Sequence, residues 1–580
     1  MRPAFLAIAG PPAAVDALCQ ARQWPESLPR GWEVLLRLPG LFMLRRGPGS
    51  SLVFRQGAIF GDLLDRATAR PVRTADAKLE QAIDGSRGAC LIERHWGSWF
   101  ALFADGAGGY WALRDPSPFA PVYYRQVDGV SLYHSDLSTA LELDVALLQP
   151  DLRFLACWLT YFHLRTERTG LAETRELLPG TRRCVRGTGV SLDTLWSPWR
   201  FAAADRQIRD FGEAAQRLRA EALQTIPAQV QDHHDLLLEL SGGLDSSIIA
   251  AALKAGGVPF DSINFVTRTA EGDERRYARA VAAETSNTHC EIEETDTPLD
   301  LCIPERRRLR PGLNAVMTPL HSQFAAHGEA RGAQTFITGA GGDNVFCYLT
   351  TAAPVVDAWR VLGPAAALAQ TLRDVSDLCG CTSWTTARFA LRKAVREFRG
   401  APRWRRDTDF LMRDAAPSAP EPHPWLEPPR GALPGTREHV SALLRIQHLV
   451  DPESRLANLP FLHPLIAQPL VELCLQVPTW LWVRGGHNRA VARAAFRGLL
   501  PKDVLDRRSK GRLQGMCVRA YLRHRSEIAD LLLGGLLREA GLLDPTALEA
   551  YLENEGPPAD ARYFRIFELV SAELWLRSWR

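Results

Sequence analysis

Two fold classes follow one another in this sequence. Antiparallel sheets with helices are expected over residues 1–200, and an α/β unit on a parallel sheet, ending in helices, over 205–580. Three observations predict this. Residues 1–200 are dense in short β-like runs broken by turn residues. After about 205, helical patterns alternate with short apolar runs, and from about 437 helical patterns take over. Runs closed by tight turns favour hairpins, whereas strands alternating with helices favour a parallel sheet.

The first strand is expected at Ala4–Ala9. Arg2 before an apolar stretch also invites an export-signal reading, but Pro11-Pro12 interrupt it and Asp16 follows without a cleavage site. Hairpin turns fall at Asp105-Gly106, Asp128-Gly129 and Gly187–Gly189. "WSPWR" at 196–200 reads as an exit linker. Beyond it come a helix around "FGEAAQRLRAEALQTI" and three apolar runs at 236–240, 262–267 and 335–340. The stretch 415–435 carries seven prolines and is expected to be an irregular connection. "RFALRKAVREFRGAPRWRR" (388–406) places Arg388, Arg392 and Arg396 four apart, the wet face of a helix or a docking surface for an acidic peptide.

Bulk composition narrows the classes. The chain has 580 residues, 46% hydrophobic and 23% charged, with a net charge of +3, so no general polyanion-binding role follows and nucleic acid is not an expected partner. Eleven scattered cysteines form no CxxC pair, which favours reduced thiols over a disulfide framework or a zinc site. No stretch reaches the length that spans a bilayer. A soluble, cytoplasmic protein is the expectation.

The chemistry concentrates at "LLLELSGGLDSSIIAAAL" (236–253). A buried strand stops at Ser241-Gly242-Gly243, and a helix is expected from near Ser246. The glycines let backbone amides approach an anion, Ser241, Ser246 and Ser247 add hydroxyl donors, and the helix directs its positive end to the same place. Asp245 would repel an anion unless a divalent cation lies between them, which suggests Mg²⁺. A GxxxxGK phosphate loop is absent.

SGGLDSS resembles the pyrophosphate loop of ATP pyrophosphatases. Within that superfamily the chain is similar to the asparagine synthetase group: "RDPSPFAPVYYR" (114–125), "LLPG" (177–180), "GDERRYARAVAAE" (272–284) and "TGAGGDNVF" (338–346) all match its segments. The resemblance implies an N-terminal antiparallel β-sandwich of the Ntn glutaminase type, followed by an adenine-nucleotide-binding synthetase unit. Position 2, where that glutaminase needs its cysteine nucleophile, is arginine here, so the N-terminal unit is expected to be inactive. The group's glutamates are replaced by Ala340 and Asn344, and "LANLPFLHP" (456–464) lacks another.

The tail from "HPLIAQPLVE" to "RRSKG" (463–511) resembles the lasso-peptide cyclases more narrowly. That implies a linear core peptide as substrate, a leader peptidase and a leader-binding protein as partners, and closure of an Asp or Glu side chain on the peptide's N-terminal amine. By resemblance, ATP lies along Leu240, Ser241, Gly242, Gly243, Leu244, Asp245, Ser246 and Ser247. Phe265 or Val266, ending the second strand, offers backbone bonds to the adenine, Gly339 and Gly341 lie at the phosphates, Asp245 and Asp343 on Mg²⁺, and Lys510 at the developing charge. Arg489, Arg507 and Arg508 are weaker phosphate candidates, and His321 and His463 read more simply as structural. No general base stands out, and a free α-amine with pKa about 7.7–8.0 hardly needs one. Three alternatives remain: a β-lactam-synthetase-like enzyme, an ammonia-using asparagine synthetase-like enzyme, and a degenerate scaffold of a peptide-maturation complex.

Overall fold

The computed structural model describes all residues except 1, 2, 296–298, 303–306, 313, 314, 399–403, 451–459, 512, 555–557 and 559. Arg2 and the start of "LANLPFLHP" therefore lie outside the described residues.

Twelve strands build the N-terminal part: β1 (Ala4–Ala9), β2 (Trp32–Leu38), β3 (Leu41–Arg46), β4 (Ser51–Phe54), β5 (Gly57–Asp65), β6 (His95–Ala104), β7 (Tyr110–Arg114), β8 (Val122–Val127), β9 (Val130–His134), β10 (Arg175–Leu177), β11 (Thr181–Arg186) and β12 (Gly189–Thr194). They form two antiparallel six-stranded sheets, ordered β10-β8-β9-β1-β3-β2 and β12-β11-β7-β6-β5-β4. The sheets face each other through alternate side chains. Phe5 of β1 stacks on Phe100 of β6 at 4.7 Å and meets Phe60 of β5 at 5.2 Å. At the β8–β9 turn, Asp128 and Gly129 both take positive φ, +48° and +83°, as a two-residue hairpin requires.

The remaining strands, β13 (Leu236–Glu239), β14 (Asp261–Val266), β15 (His289–Glu293), β16 (Thr335–Ile337) and β17 (Phe461–Leu462), form one sheet in the order β15-β14-β13-β16-β17, all parallel. The order reverses between β13 and β16. In open parallel sheets that reversal leaves a crevice at the carboxyl ends of the two strands, where ligands bind. Helices follow, down to Arg562–Arg577 at the end. Among the described residues, no helix is long and apolar enough to cross a membrane.

The two regions share a core. One cluster of buried side chains runs from Leu52, Trp99 and Trp111 through Leu218 and Ile249 to Leu470 and Val491. Polar contacts follow the same path: Trp196 donates to Glu472 (2.8 Å), which also pairs with Arg66 (2.6 Å), and Gln468 donates to the Ile92 carbonyl (3.0 Å). The proline-rich connection is irregular but packed. Trp425 is buried 5.4 Å from Trp196, and its carbonyl accepts from Trp199.

Beside this core lies a buried cluster of charges. Glu176 of β10 is fully buried and receives three guanidinium groups: Arg114 (2.6 Å), Arg165 (2.7 Å) and Arg310 (2.7 Å). Carbonyl oxygens of Leu177, Gln447 and Thr166 take up further N–H groups of the same arginines.

Candidate active site

β13 hands over to a turn that glycine alone permits. The Leu240 N–H donates to the Ile263 carbonyl (2.8 Å), and its own carbonyl accepts from Asn264 (2.9 Å), which ends the strand. Gly242 then takes φ +66°, and a Cβ there would lie 2.4 Å from the Ala278 nitrogen and 2.5 Å from the Tyr277 Cβ. The next helix runs Leu244–Ala255, with extended Gly243 as its N-cap and no side-chain cap. It starts two residues earlier than the expected Ser246, so Asp245 sits in its first turn. The Ser241 and Ser246 hydroxyls lie 3.2 Å apart beside that helix start.

The turn after β16 closes on the same place. Gly342 packs so tightly on the first turn that a Cβ would lie 2.4 Å from the Asp245 Cγ. Gly342→Ala is therefore expected to displace the Asp245 carboxylate and cost about 100-fold in kcat, the scale set by a 1 Å misplacement at a reacting centre. A thermal melt unchanged to within a few degrees, alongside lost turnover, checks it.

Two distant segments complete the site. Arg489, in left-handed backbone (φ +52°) just before the Ala490–Ala495 helix, reaches both acids with a single nitrogen. Its Nη1 lies 2.8 and 2.9 Å from the Asp245 oxygens and 2.6 Å from Asp343. Lys510 pairs with the other oxygen of Asp343. Burial pushes the Asp245 carboxyl up to about 6, with Asp343 adding and Arg489 opposing. Burial acts the same way on Asp343, but Arg489 and Lys510 outweigh it and hold that carboxyl below its ordinary value. Burial works against the Lys510 ammonium, yet Asp343 raises its pKa, so it stays charged.

These groups line a cavity of about 440 Å³. Of the residues singled out in the sequence, Ser241, Gly243, Leu244, Asp245 and Ser246 are on its wall, and so are Gly339, Gly341, Asp343 and Lys510. Others are not. Leu240 and Ser247 are buried in the strand–helix unit, where Ser247 donates to the Gly243 carbonyl (2.7 Å). Gly242 is pressed against Tyr277, and the Phe265 ring packs 6.2 Å from Phe324 on an apolar cluster of the sheet.

Arg507 is also on the wall, but it braces the turn: it pairs with Glu274 (2.7 Å), stacks 4.1 Å from the Tyr277 ring centroid and reaches the Gly242 carbonyl. His321 lines the cavity, whereas buried His463 bonds Thr338 (2.8 Å). Arg508 is exposed and stands off the wall. Sequence reasoning missed Glu239, Glu274 and Arg493 on the wall. Glu239 had a local signal, an acid closing an otherwise apolar strand.

The donor set suits Mg²⁺. Asp245 and Asp343 both lie against one Arg489 nitrogen, which brings two carboxylates together on the cavity wall. Mg²⁺ is ordinarily held by one or two carboxylates, with phosphate oxygens and water completing its shell.

A family model described as asparagine synthase matches residues 217–577, more than half of the chain. No curated protein matches it. Two solved structures show a loose likeness. One is titled as the allosteric regulatory enzyme of purine biosynthesis (10% identity, 58% of this chain and 89% of that one, TM-score 0.22). The other is the glutamine phosphoribosylpyrophosphate amidotransferase of B. subtilis complexed with ADP and GMP (11% identity, 58% and 90%, TM-score 0.21). Overlap this loose carries neither fold nor activity across.

Proposed function

The chain belongs to the asparagine synthase family, whose chemistry is ATP-dependent amide-bond formation, and from that premise we propose that it closes a macrolactam in a ribosomally made lasso peptide. The observation that carries the ATP half is the convergence of Asp245, Asp343, Arg489 and Lys510 beside the 241–246 turn, at the crevice where the strand order reverses. The peptide half rests on the resemblance of residues 463–511 to the lasso-peptide cyclases.

In this reading the pyrophosphate part of ATP lies against the Ser241 and Ser246 hydroxyls and the amides of the first helical turn. Asp245 and Asp343 would hold Mg²⁺, which supplies positive charge against the departing pyrophosphate. A side-chain carboxylate oxygen of the peptide bonds to the α-phosphorus, and the bond from that phosphorus to pyrophosphate breaks. The peptide's α-amine then attacks the acyl carbon, AMP leaves with the oxygen–carbon bond pair, and the amine's proton passes to water. Lys510 lies against the charge that develops on the phosphoryl oxygens. The walls of the site hold amine and acyl carbon together, which replaces a dedicated base. A leader peptidase and a leader-binding protein deliver the trimmed substrate.

The test combines purified protein, ATP, Mg²⁺ and either the linear core peptide encoded beside its gene or aspartate with ammonia. Pyrophosphate release and loss of one water from the peptide are expected. Lys510→Ala should slow both by about 100- to 1,000-fold, the usual cost of one preorganised donor. Turnover of aspartate instead would replace the peptide by a small-molecule substrate.

A further inference from the structure

A second, larger cavity, about 1630 Å³, opens beside the ATP-side site. Tyr348 joins the two: it lines the large cavity, and its ring lies 5.3 Å from the Arg489 guanidinium. Sites for single small molecules usually enclose about 300–1,000 Å³, so this volume suits a longer chain.

Its walls are both apolar and cationic. The Ser383–Phe398 helix turns Phe389, Leu391 and Val395 toward it, with Leu391 64% exposed. Some of its charges are balanced, Lys393 by Glu438 (2.5 Å) and Arg437 by Glu397 (2.9 Å), while Arg406 donates to the Ala416 carbonyl (2.8 Å). Arg392, Arg396, Arg405 and Arg445 have no carboxylate at ion-pair distance among the described residues. Arg445 sits 5.5 Å from the Trp404 ring centroid, and burial together with the neighbouring Arg405 lowers its pKa. Two guanidinium groups on the wall of one cavity, with no carboxylate at ion-pair distance and Glu568 acting on Arg405 only from further off, create a place where a carboxylate gains charge-assisted hydrogen bonds.

We propose that this cavity seats the linear peptide substrate and that Arg405 and Arg445 bind a second carboxylate of that peptide, distinct from the one that is activated. The proposal rests on the peptide-cyclase reading only in taking the substrate to be a peptide. The second carboxylate is either the C-terminal one or an acidic side chain. Anchored there, the peptide is held at one end while its reacting carboxylate lies beyond Tyr348.

The test separates binding from chemistry. The probe is the same core peptide with its N-terminal amine acetylated, so that it cannot cyclise, titrated against tryptophan fluorescence (Trp199, Trp404 and Trp425 line the cavity). Relative to the unaltered chain, Arg405→Gln/Arg445→Gln is expected to raise its Kd about tenfold, the scale of losing a charge-assisted contact. ATP affinity should not change, which also shows that the variant is folded, and Arg405→Lys/Arg445→Lys should recover part of the loss. C-terminal amidation, or Asn and Gln in place of internal acids, should cost the unaltered chain the same factor and the double variant nothing; whichever does so identifies the carboxylate. Equal Kd for chain and variant, indifference to every amidated peptide, or no saturable binding would each overturn the proposal. Arginine-dependent binding without cyclisation would leave the cavity assignment standing and remove the macrolactam. Cyclisation with a KM unchanged in the double variant would do the reverse.

Discussion

Replacing Asp343 by alanine is expected to lower pyrophosphate release by about a thousandfold or more, since a metal-held charge in such a site supplies several kcal/mol and each 1.36 kcal/mol is tenfold. The site pairs two acids with two cations, and Asp343 touches both cations. Its loss leaves Arg489 on Asp245 alone and Lys510 without its acid, so the pocket gains net positive charge. Binding of metal-free ATP should then be no weaker than in the unaltered chain, although turnover is lost. The separation of these two readouts is the signature. A merely structural role would weaken both, and Asp343→Asn, which keeps the shape, should resemble the alanine variant in rate. The measurement is a single-turnover pyrophosphate assay beside nucleotide titration; a variant that keeps a tenth of the rate would take Asp343 out of the reaction.

The second large effect concerns stability. Glu176→Gln removes the acid that three buried guanidinium groups share, and breaking such a set by taking one partner typically costs about 3–5 kcal/mol. Burial alone would raise the Glu176 pKa, but Arg165, Arg310 and Arg114 drive it far below its ordinary value of 4.5. Because the folded value is depressed, the stabilisation is complete above the unfolded value and declines as pH falls below about 4.5. Above that pH the glutamine variant should unfold at clearly lower denaturant than the unaltered chain, and in acid the gap should narrow. Urea midpoints at pH 7 and pH 4 test this, and a gap that does not change with pH would count against the charge argument. Nearby His448 fits the same electrostatics: burial, with Arg165 and Arg310 adding, brings it down to about 3, so no further charge joins the cluster near neutral pH.

What the sequence disclosed follows from the range of the forces involved. The 241–247 turn is local, since a strand end, two glycines and a helix start must be contiguous, so its shape could be read directly; which of its residues face the cavity could not, and Gly242 and Ser247 turn away from it. The strand at Ala4–Ala9 and the hairpin at Asp128-Gly129 were legible for the same reason. β17 was not: two residues carry no periodicity, and it exists only because β16 offers it an edge. Arg489 was one arginine among many; its importance comes from a meeting with Asp245 across 244 positions. For Arg392 and Arg396 the helix was legible from their spacing, while the cavity they face depends on segments far along the chain.

The shared core has a consequence for how the protein is made. The N-terminal sheets bury Trp99 and Trp111 in the same cluster as Leu470 and Val491. During translation the first two hundred residues emerge with that flank uncovered until the chain has grown by roughly 300 more, which at 5–20 residues per second is roughly 15–60 s. For that interval the nascent chain presents an apolar flank that its own distant segments later cover. A fragment ending at residue 200 is therefore expected to keep the apolar clusters between and behind its own sheets but to expose the flank around Trp99 and Trp111, and to be less soluble than the full chain.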